Sequence, residues 1–142
     1  MALTQWRRML LWGPALLYMT VIFYSSSQSD PAPALTGVVW DKLLHSSGYA
    51  LLAILYARGL RGEGLTVWTI ALGAILLTSL YAASDEIHQS FTPMRTMDVR
   101  DWLADSIGGI AGAAVYALAA LKGRATQSKA ALQGRTIHPE RP

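Results

Sequence analysis

The chain has 142 residues, 52% of them hydrophobic and only 15% charged, with a net charge of +3 and no cysteine. Soluble domains carry about 25% charged residues, so this composition argues for lipid and against a water-soluble fold, and the missing cysteines exclude disulfides and thiolate metal sites. The positive charge does not mark a nucleic-acid binder, because it lies in loops and tails rather than on one face.

The first apolar run covers residues 9–24 and follows Arg7 and Arg8. Together with the small residues Ser25, Ser26 and Ser27 it also fits the template of a cleaved signal peptide, whose removal would leave three spans. Trp12, Tyr18 and Tyr24 are bulky for such a segment. Tyr24 stands where an interfacial aromatic anchor belongs, so the run is read as a retained span. Residues 25–37 contain no Lys or Arg, and Asp30-Pro31-Ala32-Pro33 stops a helix.

A second run, 38–57, opens on the string DKLLHSSGYA, and a short basic, glycine-rich connection, RGLRGEG at 58–64, leads to a third run at 65–83. The third helix is expected to continue to His88 or Gln89, where Pro93 ends it. The fourth run, 102–121, starts from a helix expected near Val99. Each of the last three runs is near the roughly 20 residues that span a hydrocarbon core. Residues 123–142 form a basic tail without hydrophobic periodicity, expected to be disordered. Lys and Arg crowd the N-terminus, the 58–64 connection and this tail, while the opposite segments hold only Lys42, Arg95 and Arg100. The positive-inside rule then places both termini in the cytoplasm. The fold class is an all-α, antiparallel bundle of four transmembrane helices over residues 1–122.

The chemistry concentrates where three runs meet the outer face. Asp41 and His45 are four apart and share a helix face with Tyr49, so the carboxylate can fix the imidazole tautomer. The plainer reading is a helix-start carboxylate and a neighbouring histidine, and Lys42 beside them can snorkel. Asp85, Glu86, His88 and Gln89 close the third run on two adjacent faces. An exposed helix end explains Asp85 and His88 well, and Glu86 at headgroup level less so. This is no HExxH site, although His45, His88 and Glu86 leave a metal possible in principle. Asp98, Asp101 and Asp105 fall at i, i+3 and i+7, a stripe that continues through Gly108, Gly109 and Gly112 if the helix includes Asp98. The pairs Gly108/Gly112 and Gly109/Ala113 are small-xxx-small patterns that let helices approach closely. Asp105 is thereby carried into the bundle and needs a partner. Arg95 is the first candidate, with Lys42 the second.

These residues resemble a known family. DKLLH at 41–45 with Tyr49, DEIHQSFTPMR at 85–95, the pair Asp98 and Asp101, the glycines Gly108 and Gly112, and IFYSSSQ at 22–28 are similar to the VanZ-like membrane proteins over about residues 10–121. One departure stands out, because that family commonly has Asn where this chain has Asp105. The resemblance implies a small multi-pass protein of a bacterial cytoplasmic membrane, in a family named for low-level resistance to the lipoglycopeptide teicoplanin. It also implies that Asp41, Lys42, His45, Glu86, Gln89, Arg95 and Asp101 act as one extracytoplasmic cluster.

Two functions follow as expectations. In the first, Lys42, His45 and Arg95 bind an anionic lipid or the phosphate of a lipid-linked cell-wall intermediate. Tyr49, Gln89, Asp98, Asp101 and Asp105 would line that site, and Glu86, Asp98 and Asp101 would orient its cations. In the second, the protein is a hydrolase or transferase on such a lipid, with His45 and Asp41 as base, Glu86 as acid and Arg95 as electrostatic stabiliser. A purely structural polar network is the remaining reading. Neither a cofactor nor the oligomeric state is legible.

Overall fold

The computed structural model describes residues 5–29 and 38–137, with the side chains of 38–41 and 134–137 outside that description. It contains four helices: α1 (Gln5–Ser26), α2 (Val38–Arg61), α3 (Val67–Gln89) and α4 (Val99–Ile137). The third helix starts where Thr66 accepts a hydrogen bond from the Thr69 amide, 3.2 Å away, and ends before the turn that carries Pro93. The fourth starts because the Asp98 carboxylate accepts from the Arg100 amide at 2.8 Å. A side-chain acceptor at this position satisfies an amide that the helix itself leaves unpaired.

Contacts along the bundle fix the helix directions. On α1, Trp12 stacks beside Gly59 of α2, and Met19 accepts from Tyr56 of α2; these helices therefore run in opposite senses. Likewise, Ser79 of α3 bonds Ser106 of α4 at 2.9 Å, and Thr78 lies against Gly109. Residues on α2 and α4 ascend together, from Lys42 with Asp101 to Ser46 with Gly108 and Ala50 with Gly112. Consecutive helices alternate in direction, as the sequence predicts.

The densest packing is this α2–α4 seam. A methyl group on Gly108 would sit 2.0 Å from the Ser46 carbonyl oxygen, and one on Gly112 would sit 2.1 Å from that of Ala50. Only glycine permits this approach. Ala113 and Ala117 of α4 and Leu52, Ala53, Tyr56 and Ala57 of α2 are buried in the core. α1 is the least buried helix and leans chiefly on α2.

Among the described residues, three helices are long and apolar enough to cross a membrane: α1, α3 and residues 99–133 of α4. α2 is not one of them. Its opening carries Lys42, His45, Ser46, Ser47 and Tyr49, and it packs against all three other helices. The helix also runs to Arg61, so the connection is shorter than the expected 58–64. At the other end, α4 continues to Ile137, into the tail expected to be disordered. Alanine, lysine, glutamine and leucine there are strong helix formers, and this extension is exposed through residue 133.

Candidate functional site

Polar side chains gather where α1 and α3 end and α2 and α4 begin. Their hub is Asp85, 3% exposed. Its Oδ2 accepts from Ser26 Oγ of α1 at 2.8 Å, from Tyr49 OH of α2 at 3.0 Å and from Gln89 Nε2 at 3.1 Å. One carboxylate oxygen thus ties three helices together. The Gln89 amide donates to Asp85, and its Oε1 accepts from the Arg95 guanidinium at 2.6 Å. A flipped amide would lose both bonds, so the two neighbours fix its orientation.

A second set lies on the α2–α4 seam. The Lys42 ammonium pairs with Asp101. One turn deeper, His45 Nδ1 is 3.5 Å from Asp105 Oδ1, an electrostatic contact too long for a good hydrogen bond. Asp105 is 0% exposed, and neither of its oxygens receives a hydrogen bond. The expected Arg95–Asp105 pair is therefore replaced by His45–Asp105, and Lys42 serves Asp101 instead. The glycine seam explains this exchange, because it presses the α2 face carrying His45 against α4, while Arg95 sits beyond the end of α3 and is held by Gln89. The side chain of Asp41, expected to orient His45, lies outside the described residues.

Glu86 is 2% exposed and joins α3 to the start of α4. Its Oε2 accepts from the Asp98 amide at 2.8 Å, while Oε1 has no partner. Asp98 precedes α4 as its cap, so the stripe on that helix begins at Asp101. Beside Glu86 a cleft of about 170 Å³ is lined by Ala83, Ile87, Met97, Asp98, Val99 and Trp102. His45 and Asp101 are not among its walls, so this cleft does not unite them with Glu86.

An exposed helix end is the plainer sequence expectation for Asp85 and His88. Asp85 is instead the most connected acid, and His88 Nε2 lies 3.0 Å from Ser27 Oγ with its ring stacked on Phe23 at 4.3 Å. The signal for both was the Ser25–Ser27 string, which must lie level with residues 85–89 if the first and third helices finish at the same face. The Ser27–His88 pair is arranged wrongly for nucleophilic catalysis. Ser27 spends its single hydroxyl hydrogen on the Phe23 carbonyl at 2.7 Å, which leaves His88 as donor. Ser84 and Ser90 similarly donate to the Tyr81 and Ile87 carbonyls. Among the described residues, no group of three or more His, Asp or Glu side chains is placed to hold a metal.

The family model described as VanZ/LLP1 matches residues 10–120, well over half of the chain. No curated protein and no solved structure matches the chain.

Proposed function

The chain belongs to the VanZ/LLP1 family, and from that premise we propose that it binds an anionic lipid, or the phosphate of a lipid-linked cell-wall intermediate, in the bacterial cytoplasmic membrane. Modulation of the cell envelope follows from that binding, with glycopeptide (teicoplanin) susceptibility as one readout. The observation that carries this reading is the state of Arg95. The residue is half-buried, its guanidinium bonds the neutral Gln89 amide, and among the described residues it has no carboxylate partner. Lys42 pairs with Asp101, and His45 lies beside Asp105, so each already has an acid next to it. Arg95 keeps four N–H donors and a full charge in a planar fork suited to phosphate.

Arg95→Gln is expected to weaken binding of a phospholipid or polyprenyl phosphate roughly tenfold to a hundredfold, since hydrogen bonds to charged groups contribute about 1.5–3 kcal/mol each. Arg95→Lys also fails, because it loses the fork. Thermal stability should change little, because Asp85 still holds Gln89. Mass spectrometry of lipid copurifying with each variant measures the effect. Equal lipid retention by wild type and Arg95→Gln sinks the proposal.

Both termini cytoplasmic and the polar cluster outside is the topology this function requires, and the basic-residue asymmetry supports it. Reporter fusions after Arg61 and after Arg124 should read cytoplasmic, and one after Gln28 should read outside. A cytoplasmic signal at Gln28 would put the cluster on the wrong face for an extracytoplasmic lipid intermediate.

A further inference from the structure

The lipid-facing stripe of α3 does not stop where the helix stops. Trp68, Leu72, Leu76, Leu80 and Ile87 are exposed along one side, and Phe91, four residues beyond Ile87 and past the helix end, is 81% exposed. The turn that carries it is ordered. Phe91 donates its amide to the His88 carbonyl, Thr92 donates to that of Gln89, and Arg95 donates to that of Thr92. Within this turn Met94 has φ 65°, the one non-glycine positive φ among the described residues, and its side chain is 94% exposed. Left-handed backbone is unfavourable for a side chain of this kind, and such strain persists only where the surroundings hold it. Here it turns an apolar side chain outward, with Met97 and Val99 also exposed beside it.

α3 has 23 residues, about 34 Å at 1.5 Å per residue, against a hydrocarbon core of about 30 Å. Its two ends therefore lie close to the boundary between acyl chains and headgroups. Arg95 and Arg100 flank the apolar tip, and the one acid between them, Asp98, is engaged in capping α4. Apolar side chains at acyl-chain level with cations just above them match the charge profile of a leaflet boundary.

We propose that the α3–α4 turn is an interfacial wedge, with Phe91 and Met94 seated among the acyl chains of the leaflet and Arg95 and Arg100 at its phosphates. The occupant of this apolar surface is the bilayer itself. The wedge stands whether or not Arg95 takes a substrate phosphate.

The chain has no cysteine, so a single introduced thiol reports on its own position. Phe91→Cys and Met94→Cys in the full chain, labelled with an environment-sensitive fluorophore and reconstituted in vesicles of phosphatidylethanolamine and phosphatidylglycerol, test it. Gln127→Cys, on the exposed extension of α4, is the aqueous control. Nitroxide-bearing lipids should quench labels at 91 and 94 several-fold more than the label at 127, at every protein-to-lipid ratio. Equal quenching at all three positions overturns the wedge. Shielding at 91 and 94 that appears only as the protein-to-lipid ratio rises also overturns it, because it would mark a contact with another protein chain.

Discussion

Alanine at Gly108 or Gly112 is expected to prevent normal accumulation of the folded bundle. The added carbon would lie 2.0 Å or 2.1 Å from a backbone carbonyl oxygen of α2, and a carbonyl, unlike a side chain, cannot rotate away. Overpacking costs about 1–3 kcal/mol where neighbours can adjust, and occasionally more. Here α2 and α4 must separate, so each substitution should lose at least about 3 kcal/mol. Two other glycines of the same helix calibrate the result. A methyl on Gly109 meets the Thr78 side-chain methyl at 2.8 Å, which can shift, and should cost about 1 kcal/mol. One on Gly123 meets nothing within 4 Å and should gain up to about 1 kcal/mol in helix propensity. Thermal melting in detergent across the series measures the order. Wild-type melting by Gly108→Ala would mean that the seam does not need glycine.

Asp85→Ala is the second substitution expected to have a large effect. It leaves Ser26, Tyr49 and Gln89 without the acceptor they share, and an unsatisfied buried donor costs about 1–3 kcal/mol. Loss of the hub should cost about 3–5 kcal/mol, comparable to breaking a buried charge pair, and should loosen α1 first. Tyr49→Phe removes one of the three bonds and should cost about 1 kcal/mol. Asp105→Asn is the contrasting case. Its neighbour His45 Nδ1 lies 3.5 Å away, too far for a good hydrogen bond, and the amide is the same size without the buried charge, so its melting temperature should equal or exceed that of wild type. The opposite ranking, with Asp105 critical and Asp85 dispensable, would move the organising centre of the polar cluster to the α2–α4 seam.

Much of the fold was legible because apolar length and punctuation are local properties. Val38, Gln89 and Val99 as helix boundaries, the break near Pro93 and the glycine seam all follow from residues close in sequence. The character of α2 was less legible, since an apolar run reads the same whether it faces lipid or neighbouring helices. Partner choice was hardest, because it depends on helix rotation. Seen along the chain, Arg95 is near Asp105 and His45 is distant, yet rotation about the α4 axis decides which cation meets that carboxylate. The role of Asp85 was hidden for the same reason: it is adjacent to Glu86 in sequence, yet the two side chains serve different neighbours, Ser26 and Tyr49 for one and the Asp98 amide for the other. The continuation of α4 into the tail was not legible, because a lack of amphipathic pattern says nothing against an exposed helix made of good helix formers.

Ser26 and Asp85 are 59 residues apart, and that separation sets an order on biogenesis. Translation at roughly 5–20 residues per second leaves on the order of several seconds between the synthesis of the two. During that interval the first helix has emerged while the acid that clasps its end does not yet exist. Another grip, the Tyr81 hydroxyl on the Met19 carbonyl at 2.6 Å, is almost as late. The helix made first is thus among the last to be fastened, and until then it depends on the lipid and on α2 to keep its place.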